Sequence, residues 1–116
     1  MDSEIIAKSR VWLERAGAYV LGEQEARLLA AIERAGSIKD GAQAAGMSYR
    51  TAWARVRDME RALGHPIVRS RAGGPGGGST TLTGDAQQLM RVFHEIDTRV
   101  ADALREAYPR AREVAS

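Results

Sequence analysis

The stretch GSIKDGAQAAGMSYRTAWARVRDMERALG, residues 36–64, decides the fold of this 116-residue chain. It reads as two short helices, over residues 38–45 and 48–63, joined by a tight turn. Gly46 lies in that turn, where the backbone needs a residue free to take a positive φ. The pattern predicts a helix-turn-helix, a motif whose second helix enters the major groove of DNA.

Residues suited to capping lie at the ends of these two helices. Ser37 and Ser48 each precede a helix, and their hydroxyls are expected to accept a bond from a free amide of the first turn. Gly64, followed by Pro66, is expected to end the second helix. The helix boundaries are therefore predicted from the residues that flank them.

The second helix has one apolar face and one basic face when its residues are placed at about 100° each. The apolar sector is expected to face the core and holds Ala52, Val56, Met59 and Leu63. The opposite sector holds Arg50, Ala54, Arg57 and Arg61, with Asp58 at its margin. Arginine bonds guanine or phosphate, and a small alanine lets the helix approach the bases. Because base contacts come mainly from the helix N-terminal part, we assign Arg50 and Ala54 to base edges, and Arg57 to bases or backbone.

Tyr49 and Trp53 lie at the border between the two sectors. A large ring in that position packs on the core in many proteins, so packing and DNA contact both stay open for Trp53. The Tyr49 hydroxyl is placed to reach a phosphate while its ring packs. The free amides near Ser48 and Tyr49 are suited to bind a phosphate with help from the helix dipole.

A wing is predicted after the helix-turn-helix. Residues 67–71 and 79–82 read as strands on either side of the glycine-rich loop at 73–78. Arg69 and Arg71 lie on the first strand, and the loop amides are suited to bond phosphates. A cradle for a nucleotide phosphate is disfavoured, because no Gly-Lys-Ser/Thr ending follows the glycines. A merely flexible connection stays open.

Two elements are predicted before the helix-turn-helix. Short β-favouring runs flank Ala16-Gly17 and predict a hairpin arm over residues 1–22. These runs are Val11-Trp12-Leu13 and Tyr19-Val20-Leu21. Apolar residues then recur at helical spacing and predict a helix at about residues 23–35. They are Leu28, Leu29, Ile32 and Ala35.

A long last helix is predicted over residues 83–108. Thr83 is expected to cap it and Pro109 to end it, leaving a tail at 109–116. Its apolar stripe repeats at heptad spacing and needs a partner. Part of the stripe fits the domain itself, and the rest fits the same helix of a second copy. The predicted dimer-interface residues are Leu89, Phe93, Ile96, Val100 and Leu104.

Composition narrows the classes of function. The absence of cysteine excludes disulfides and cysteine-bound zinc, and two histidines far apart do not suggest a metal site. We recognise no nucleophile–base pair, metal cluster or cofactor loop, so we expect no enzyme, cofactor or metal. Charges interrupt residues 1–10, and no run reaches the length of a membrane span. We expect a soluble cytoplasmic protein without membrane contact.

The net charge of +2 is unevenly distributed. Residues 1–45 carry six basic and seven acidic side chains, and residues 85–116 carry five and six. Residues 46–84 carry six arginines against two acids, a local net charge of +4. A basic middle third is typical of a footprint on phosphates, with a solvated helix face and flexible loop as the alternative.

Two segments, GSIKDGAQAAGMSYRTAW and GGPGGGSTTLT, resemble the N-terminal DNA-binding domain of the ModE family of molybdate-responsive transcription regulators. The resemblance is carried by Gly-Ser before the second helix of the domain, Ser-Tyr-basic-x-Ala-Trp opening the third, and a glycine run closing on Leu-Thr. A looser pattern is similar to LysR-type regulators, a related winged-helix group. The resemblance implies a winged helix-turn-helix that dimerises through its long last helix. It also implies DNA-facing roles for the wing and for Ser48, Tyr49, Arg50, Trp53 and Arg57.

The chain departs from the ModE pattern in three ways. Arg69-Ser70-Arg71 stands where the family usually has Glu-Arg, which leaves the wing contacts open. Thr83-Gly84-Asp85-Ala86 replaces Thr-x-x-Gly at a helix start. Full-sized members carry a C-terminal oxyanion-binding domain that these 116 residues do not include, so molybdate sensing is not carried over. A natural single-domain relative and a piece of a longer chain both stay open.

We therefore expect a mainly α fold, with a winged helix-turn-helix over residues 23–82. The expected function is a sequence-specific transcriptional regulator whose homodimer binds an inverted repeat in double-stranded DNA. Helix 48–63 would be its recognition helix and residues 67–82 its wing. The alternative is a winged-helix adaptor that binds another protein instead of DNA. A separate sensor protein is a further candidate partner.

Overall fold

The fold consists of four helices and two small antiparallel sheets. The computed structural model describes residues 5–72 and 78–115, with side chains as far as residue 108. The elements run in the order β1 (Trp12–Arg15), β2 (Ala18–Gly22), α1 (Glu23–Ala35), α2 (Ile38–Ala44), α3 (Tyr49–Leu63), β3 (Val68–Arg71), β4 (Ser79–Leu82) and α4 (Gly84–Ala115). This is the mainly α winged helix-turn-helix that the sequence predicts.

Strands β1 and β2 form the predicted N-terminal hairpin. The turn between them is Ala16-Gly17, with φ values of 51° and 81°. Positive φ at both central residues is the geometry of the tight turn that matches the natural twist of two antiparallel strands. The hairpin packs along α3 and α1 through Val20 and Leu21, which are buried.

The helix-turn-helix forms from α2 and α3 as the sequence predicts. The hydroxyl of Ser37 accepts a hydrogen bond from the Asp40 amide at 3.0 Å and so caps α2. Gly46 has a φ of 73°, which confirms the positive φ expected in the turn. Helix α2 lies very close to α1, because a Cβ at Gly41 would fall 2.7 Å from the Cα of Ile32.

One hydrophobic core joins all three helices of the domain to the hairpin, the wing and the start of α4. The core face of α3 is the predicted one, with Ala52, Val56 and Met59 buried and Leu63 partly buried against them. The largest fully buried side chains are Leu21, Leu28, Leu29, Ile32, Val56, Met59 and Ile67.

Strands β3 and β4 form the sides of the wing, in a register that pairs Val68 with Leu82 and Arg71 with Ser79. The wing is fixed to the C-terminal end of α1, because the Thr80 amide donates to the carbonyl of Gly36, the residue that ends α1, at 2.7 Å. Residues 73–77 of the predicted glycine loop lie outside the described residues. The two described strands thus form the base of the wing.

Helix α4 begins as predicted but ends later. The Thr83 hydroxyl accepts from the Ala86 amide at 3.1 Å, which confirms the expected cap. The prediction that Pro109 ends the helix and that 109–116 forms a tail is wrong, because α4 continues to Ala115. Proline removes one backbone donor from a helix interior, but the turns around Pro109 consist largely of alanine, arginine and glutamate, which favour helix.

The first turns of α4 pack against the domain itself. Phe93 is only 6% exposed and belongs to the core, and Leu89 is partly buried against it. The sequence predicts both residues at a dimer interface, and the structure gives them a partner within their own chain. In the described part of the chain, no helix is both long and apolar enough to cross a membrane.

Candidate nucleic-acid interface

The start of α3 presents unsatisfied amides. The hydroxyl of Ser48 accepts from the Thr51 amide at 3.0 Å and lies 2.9 Å from the Thr51 hydroxyl, so this side chain is engaged in capping. Among the described residues, the amides of Tyr49 and Arg50 have no acceptor within the chain. Free amides at a helix N-terminus form a site for a phosphate. The DNA contact predicted for Ser48 therefore fits its backbone neighbours better than its hydroxyl.

The face of α3 opposite the core is open to solvent. Arg50, Ala54 and Arg57 are all exposed, as the helical phase predicts. Within the described residues, the Arg50 guanidinium makes no ion pair or hydrogen bond. Ala54 lies one turn after Arg50, and its small side chain leaves space beside the arginine. This surface therefore offers a free cation next to a place where a base can approach the helix.

An aromatic and cationic row runs along one edge of this face. The rings of Tyr49 and Trp53 meet edge to face at 6.3 Å between centroids, and the Arg57 guanidinium lies 5.2 Å from the centre of the Trp53 ring. Tyr49 is 53% exposed, whereas Trp53 is partly buried against the core. Trp53 therefore packs, which is one of the two alternatives, and it also holds Arg57 in place by a cation–π contact.

The arginines near the end of α3 have other partners. Arg61 pairs with Asp58 one turn before it, at the exposed surface. Arg55 points to the other side of the helix, where its Nη1 atom donates to the Glu25 carboxylate at 2.7 Å. The basic charge counted over residues 46–84 is therefore not all available to a phosphate. Arg55 and Arg61 are committed within the chain.

Glu25 is the centre of a polar network that sequence analysis did not identify. This carboxylate is 5% exposed and accepts from Tyr19 Oη at 2.5 Å, from the Gly22 amide at 2.9 Å and from Arg55. Burial, the bond to Glu25 and the charge of Glu25 raise the pKa of Tyr19 to about 12, so its hydroxyl keeps the proton it donates. The sequence does contain a signal, because Glu25 lies in helical phase with Leu28, Leu29 and Ile32 of the apolar face.

The described part of the wing places two arginines on one side. Arg69 and Arg71 alternate with Ser70, so both point away from the core, and both are exposed. The opposite side packs inward through Thr80 and Leu82, which are buried. No described residue pairs with either arginine. The described part of the wing therefore carries two exposed cations.

Comparison with known sequences places this chain in a protein family. The sequence profile of the lysR family of bacterial regulatory helix-turn-helix proteins matches residues 24–87. The match covers α1, the helix-turn-helix, the wing and the first turn of α4. This chain belongs to that family.

The relatives of this lysR-family chain include proteins described as binding molybdenum-pterin or as taking part in molybdenum transport. It is 40% identical over 94 residues to the molybdenum-pterin-binding protein MopB of Rhodobacter capsulatus, a match covering 81% of this chain and 34% of that protein. It is 32% identical over 106 residues to the molybdenum transport protein ModE of Azotobacter vinelandii, covering 91% and 39%. It is 39% identical over 66 residues to the DNA-binding transcriptional dual regulator ModE of Escherichia coli K12, covering 57% and 25%.

These matches confirm the predicted resemblance to the ModE DNA-binding domain. They span 25% to 39% of the length of these three relatives, so they concern one part of each. The lysR-family match shows a bacterial regulatory helix-turn-helix domain over residues 24–87. The side chains of five predicted site residues are exposed and, among the described residues, bonded to no other residue: those of Arg50, Ala54, Arg57, Arg69 and Arg71, apart from the contact of Arg57 with the Trp53 ring.

Proposed function

We propose that this chain is a sequence-specific transcriptional regulator that binds an inverted repeat as a homodimer. Helix α3 enters the major groove, and the wing follows the adjacent backbone. The observation that carries the proposal is the outward face of α3, where Arg50 has no described partner and Ala54 leaves room beside it. A cation that is free in the unbound chain is available to a base edge without breaking an internal bond.

Base reading is assigned to Arg50 and Ala54, with support from Arg57. Arg50 is in the first turn of α3, the part of a recognition helix that lies deepest in the groove. Its guanidinium fits the O6 and N7 acceptors of guanine, and the methyl of Ala54 fits the methyl of thymine. Arg57, held against Trp53, lies about two turns after Arg50 and is assigned to the rim of the groove.

Phosphate contacts are assigned to three places around α3. The free amides of Tyr49 and Arg50 face one strand of the duplex, with the exposed Tyr49 hydroxyl beside them. Arg69 and Arg71 of the wing face the other. Such contacts hold the helix in register but carry no base information.

Dimerisation is assigned to the part of α4 beyond the domain core. Val92 and Ile96 are 42% and 39% exposed. Val100 and Leu104 continue the same stripe and are partly buried. An apolar face on this part of α4 fits the equivalent helix of a second copy. Two copies related by a twofold axis place two α3 helices on one side of the duplex.

Selection from a pool of random duplexes tests the proposal. We expect enrichment of an inverted repeat whose half-sites lie about 10 base pairs apart, or a multiple of that distance. Affinity for the enriched duplex should fall by at least about 10³-fold between 50 and 200 mM salt if six or more phosphates are contacted by the dimer. Enrichment of no motif would contradict the proposal. A stable complex with another protein, together with no duplex binding at low salt, would support the adaptor alternative instead.

A further inference from the structure

We infer that the N-terminal hairpin positions the recognition helix for base reading, with Arg15 and Tyr19 as positioning residues. The hairpin holds α3 directly at its C-terminal end and, through Glu25 of α1, in its middle. This inference rests on the proposed function, because it concerns how the same helix is presented to DNA. It assigns a role to a part of the chain that lies outside the lysR-family match, which begins at residue 24.

The first point of attachment is the C-terminal end of α3. Arg15 Nη1 donates to the carbonyl of Leu63 at 2.6 Å, across 48 residues of sequence. The last carbonyls of a helix have no donor within the helix and carry its partial negative charge, so a guanidinium there is favourable. Gly64 permits this approach, because a Cβ at this position would lie 2.6 Å from Arg15 Nη1.

The second point of attachment is the middle of α3. Tyr19 Oη on β2 and Arg55 Nη1 on α3 bind different oxygens of the Glu25 carboxylate, Oε1 and Oε2. The Gly22 amide at the end of β2 also donates to Oε1. A Cβ at Gly22 would lie 2.4 Å from Tyr19 Oη, so only glycine leaves room for this arrangement. The hairpin, α1 and α3 therefore meet at one buried carboxylate.

Two attachments fix the rotation and the position of α3, which a single attachment would leave free. Arg55 and Leu63 are eight residues apart, about 12 Å along the helix axis. A helix held at two such points neither turns about its axis nor slides without breaking a hydrogen bond. Arg55 also lies next to Ala54 in the sequence, so any rotation at Arg55 displaces the residues assigned to base edges. Bidentate bonding to a base depends on that orientation.

The geometry argues against a direct DNA role for the two positioning residues. The Arg15 guanidinium and the Tyr19 hydroxyl are both turned toward elements of their own chain. Arg10, in contrast, lies 6.0 Å from the Trp12 ring and lines the cavity beside Tyr19 and Arg55, but it makes no hydrogen bond to a described residue. Arg10 therefore serves as a matched control for the loss of one positive charge near the hairpin.

The test compares Arg15→Met and Tyr19→Phe with Arg10→Met. The quantity measured is the ratio of affinities for the duplex enriched by the wild-type chain and for a scrambled duplex of equal length. We expect each positioning variant to lower this ratio about fivefold, the value of one hydrogen bond, with affinity for the scrambled duplex within about twofold of wild type. Arg10→Met should keep the wild-type ratio. Melting temperatures confirm that the variants compared are folded.

Two results would overturn the inference. One is an unchanged ratio in folded Arg15→Met and Tyr19→Phe. The other is an equal loss of affinity for both duplexes in Arg15→Met with a shallower salt dependence, which would make Arg15 a phosphate contact. Hydrogen exchange without DNA provides a separate readout, since amides of residues 49–63 should exchange faster in Arg15→Met than in Arg10→Met. A wild-type chain that prefers no duplex would contradict the proposed function, and hydrogen exchange would still test the attachment of α3.

Discussion

At the scale of single residues, the arginines of α3 show how one residue type serves different roles. Arg50 is free among the described residues, Arg57 lies on an aromatic ring, Arg61 pairs with Asp58, and Arg55 binds a buried carboxylate. A count of charges does not distinguish these four arginines. Helical phase distinguishes Arg55 from the three outward arginines, but it does not show which of those three has a partner. The partner of each arginine decides whether that arginine can bind DNA without breaking a contact within the chain.

Glu25 leads to a prediction about pH. Burial alone raises its pKa, but the donors Tyr19, Gly22 and Arg55 outweigh burial and leave the pKa below its usual value. Ionised Glu25 therefore stabilises the fold above the pKa of the unfolded chain, about 4.3, and this contribution is lost as pH falls through the lower folded-state pKa. We expect the thermal midpoint of the wild type to fall more steeply below about pH 4 than that of Glu25→Gln.

The exposed neighbour Glu23 provides the control for this experiment. It pairs with Arg27 at the surface of the same helix, and surface pairs contribute little to stability. Glu23→Gln should therefore follow the wild-type pH dependence in the same thermal scans. Identical slopes for wild type and Glu25→Gln would show that the network does not stabilise the ionised carboxylate.

Trp53 and Arg57 lead to a prediction about stability. Trp53 is partly buried against the core, so Trp53→Ala should lower the free energy of unfolding by roughly 2 kcal/mol, about half the cost at a fully buried site. Arg57→Ala should change it by less than about 0.5 kcal/mol, since Arg57 is exposed. Urea denaturation measures both values. Equal losses in the two variants would contradict the packing role of Trp53.

At the scale of elements, the boundaries of most helices follow from flanking residues. Ser37, Ser48 and Thr83 cap α2, α3 and α4, and their short hydroxyls bond the nearest free amides. These bonds are local, so the sequence suffices to predict them. The later end of α4 beyond Pro109 was not predictable in this way, because several favourable residues on both sides compete with one proline.

Contacts between distant elements set the limit of prediction from sequence for the candidate site. The outward position of Arg50 follows from helical periodicity alone. The bond from Arg15 to Leu63 and the network at Glu25 bring together residues separated by 48 and 30 positions. No local pattern specifies which donor reaches which acceptor over such a distance. The face of α3 was therefore predictable, and the contacts that hold it were not.

Two glycines give a prediction about helix packing. A Cβ at Gly41 would lie 2.7 Å from the Ile32 Cα and 2.8 Å from its nitrogen, so Gly41→Ala forces α2 away from α1. We expect a loss of about 3 kcal/mol in the free energy of unfolding. A Cβ at Gly84, at the start of α4, would meet no described atom within 4 Å, and Gly84→Ala should gain about 0.5 kcal/mol. Urea midpoints that move in the same direction would contradict this close contact.

At the scale of the whole molecule, α4 divides its apolar stripe between two uses. Its first part, through Phe93, completes the core, and the part from Ile96 onward is assigned to a second copy. Heptad spacing does not distinguish these uses, because a helix follows the same repeat against its own domain and against another chain. The length of α4 distinguishes them, because the helix continues past Phe93, the last of its residues in the core of the domain.

Ile96 tests the assignment of the second part. Ile96→Glu places a charge in the proposed dimer interface and should convert dimers into monomers at micromolar concentration. Thr98→Glu adds the same charge about 200° around the helix and should leave the dimer intact. Sedimentation equilibrium measures the mass of each. A monomeric wild type, or a dimeric Ile96→Glu, would contradict the assignment.

The most direct test of DNA reading by α3 is the base preference of Arg50→Ala, measured by binding to all single-base variants of the enriched duplex. Arg91→Ala is the control, because Arg91 is an exposed arginine on α4 without a described partner. We expect Arg50→Ala to lose about 1–3 kcal/mol of discrimination at one position in each half-site, and Arg91→Ala to keep the full pattern. Unchanged affinity and unchanged preference at every position in Arg50→Ala would contradict the placement of α3 in the major groove.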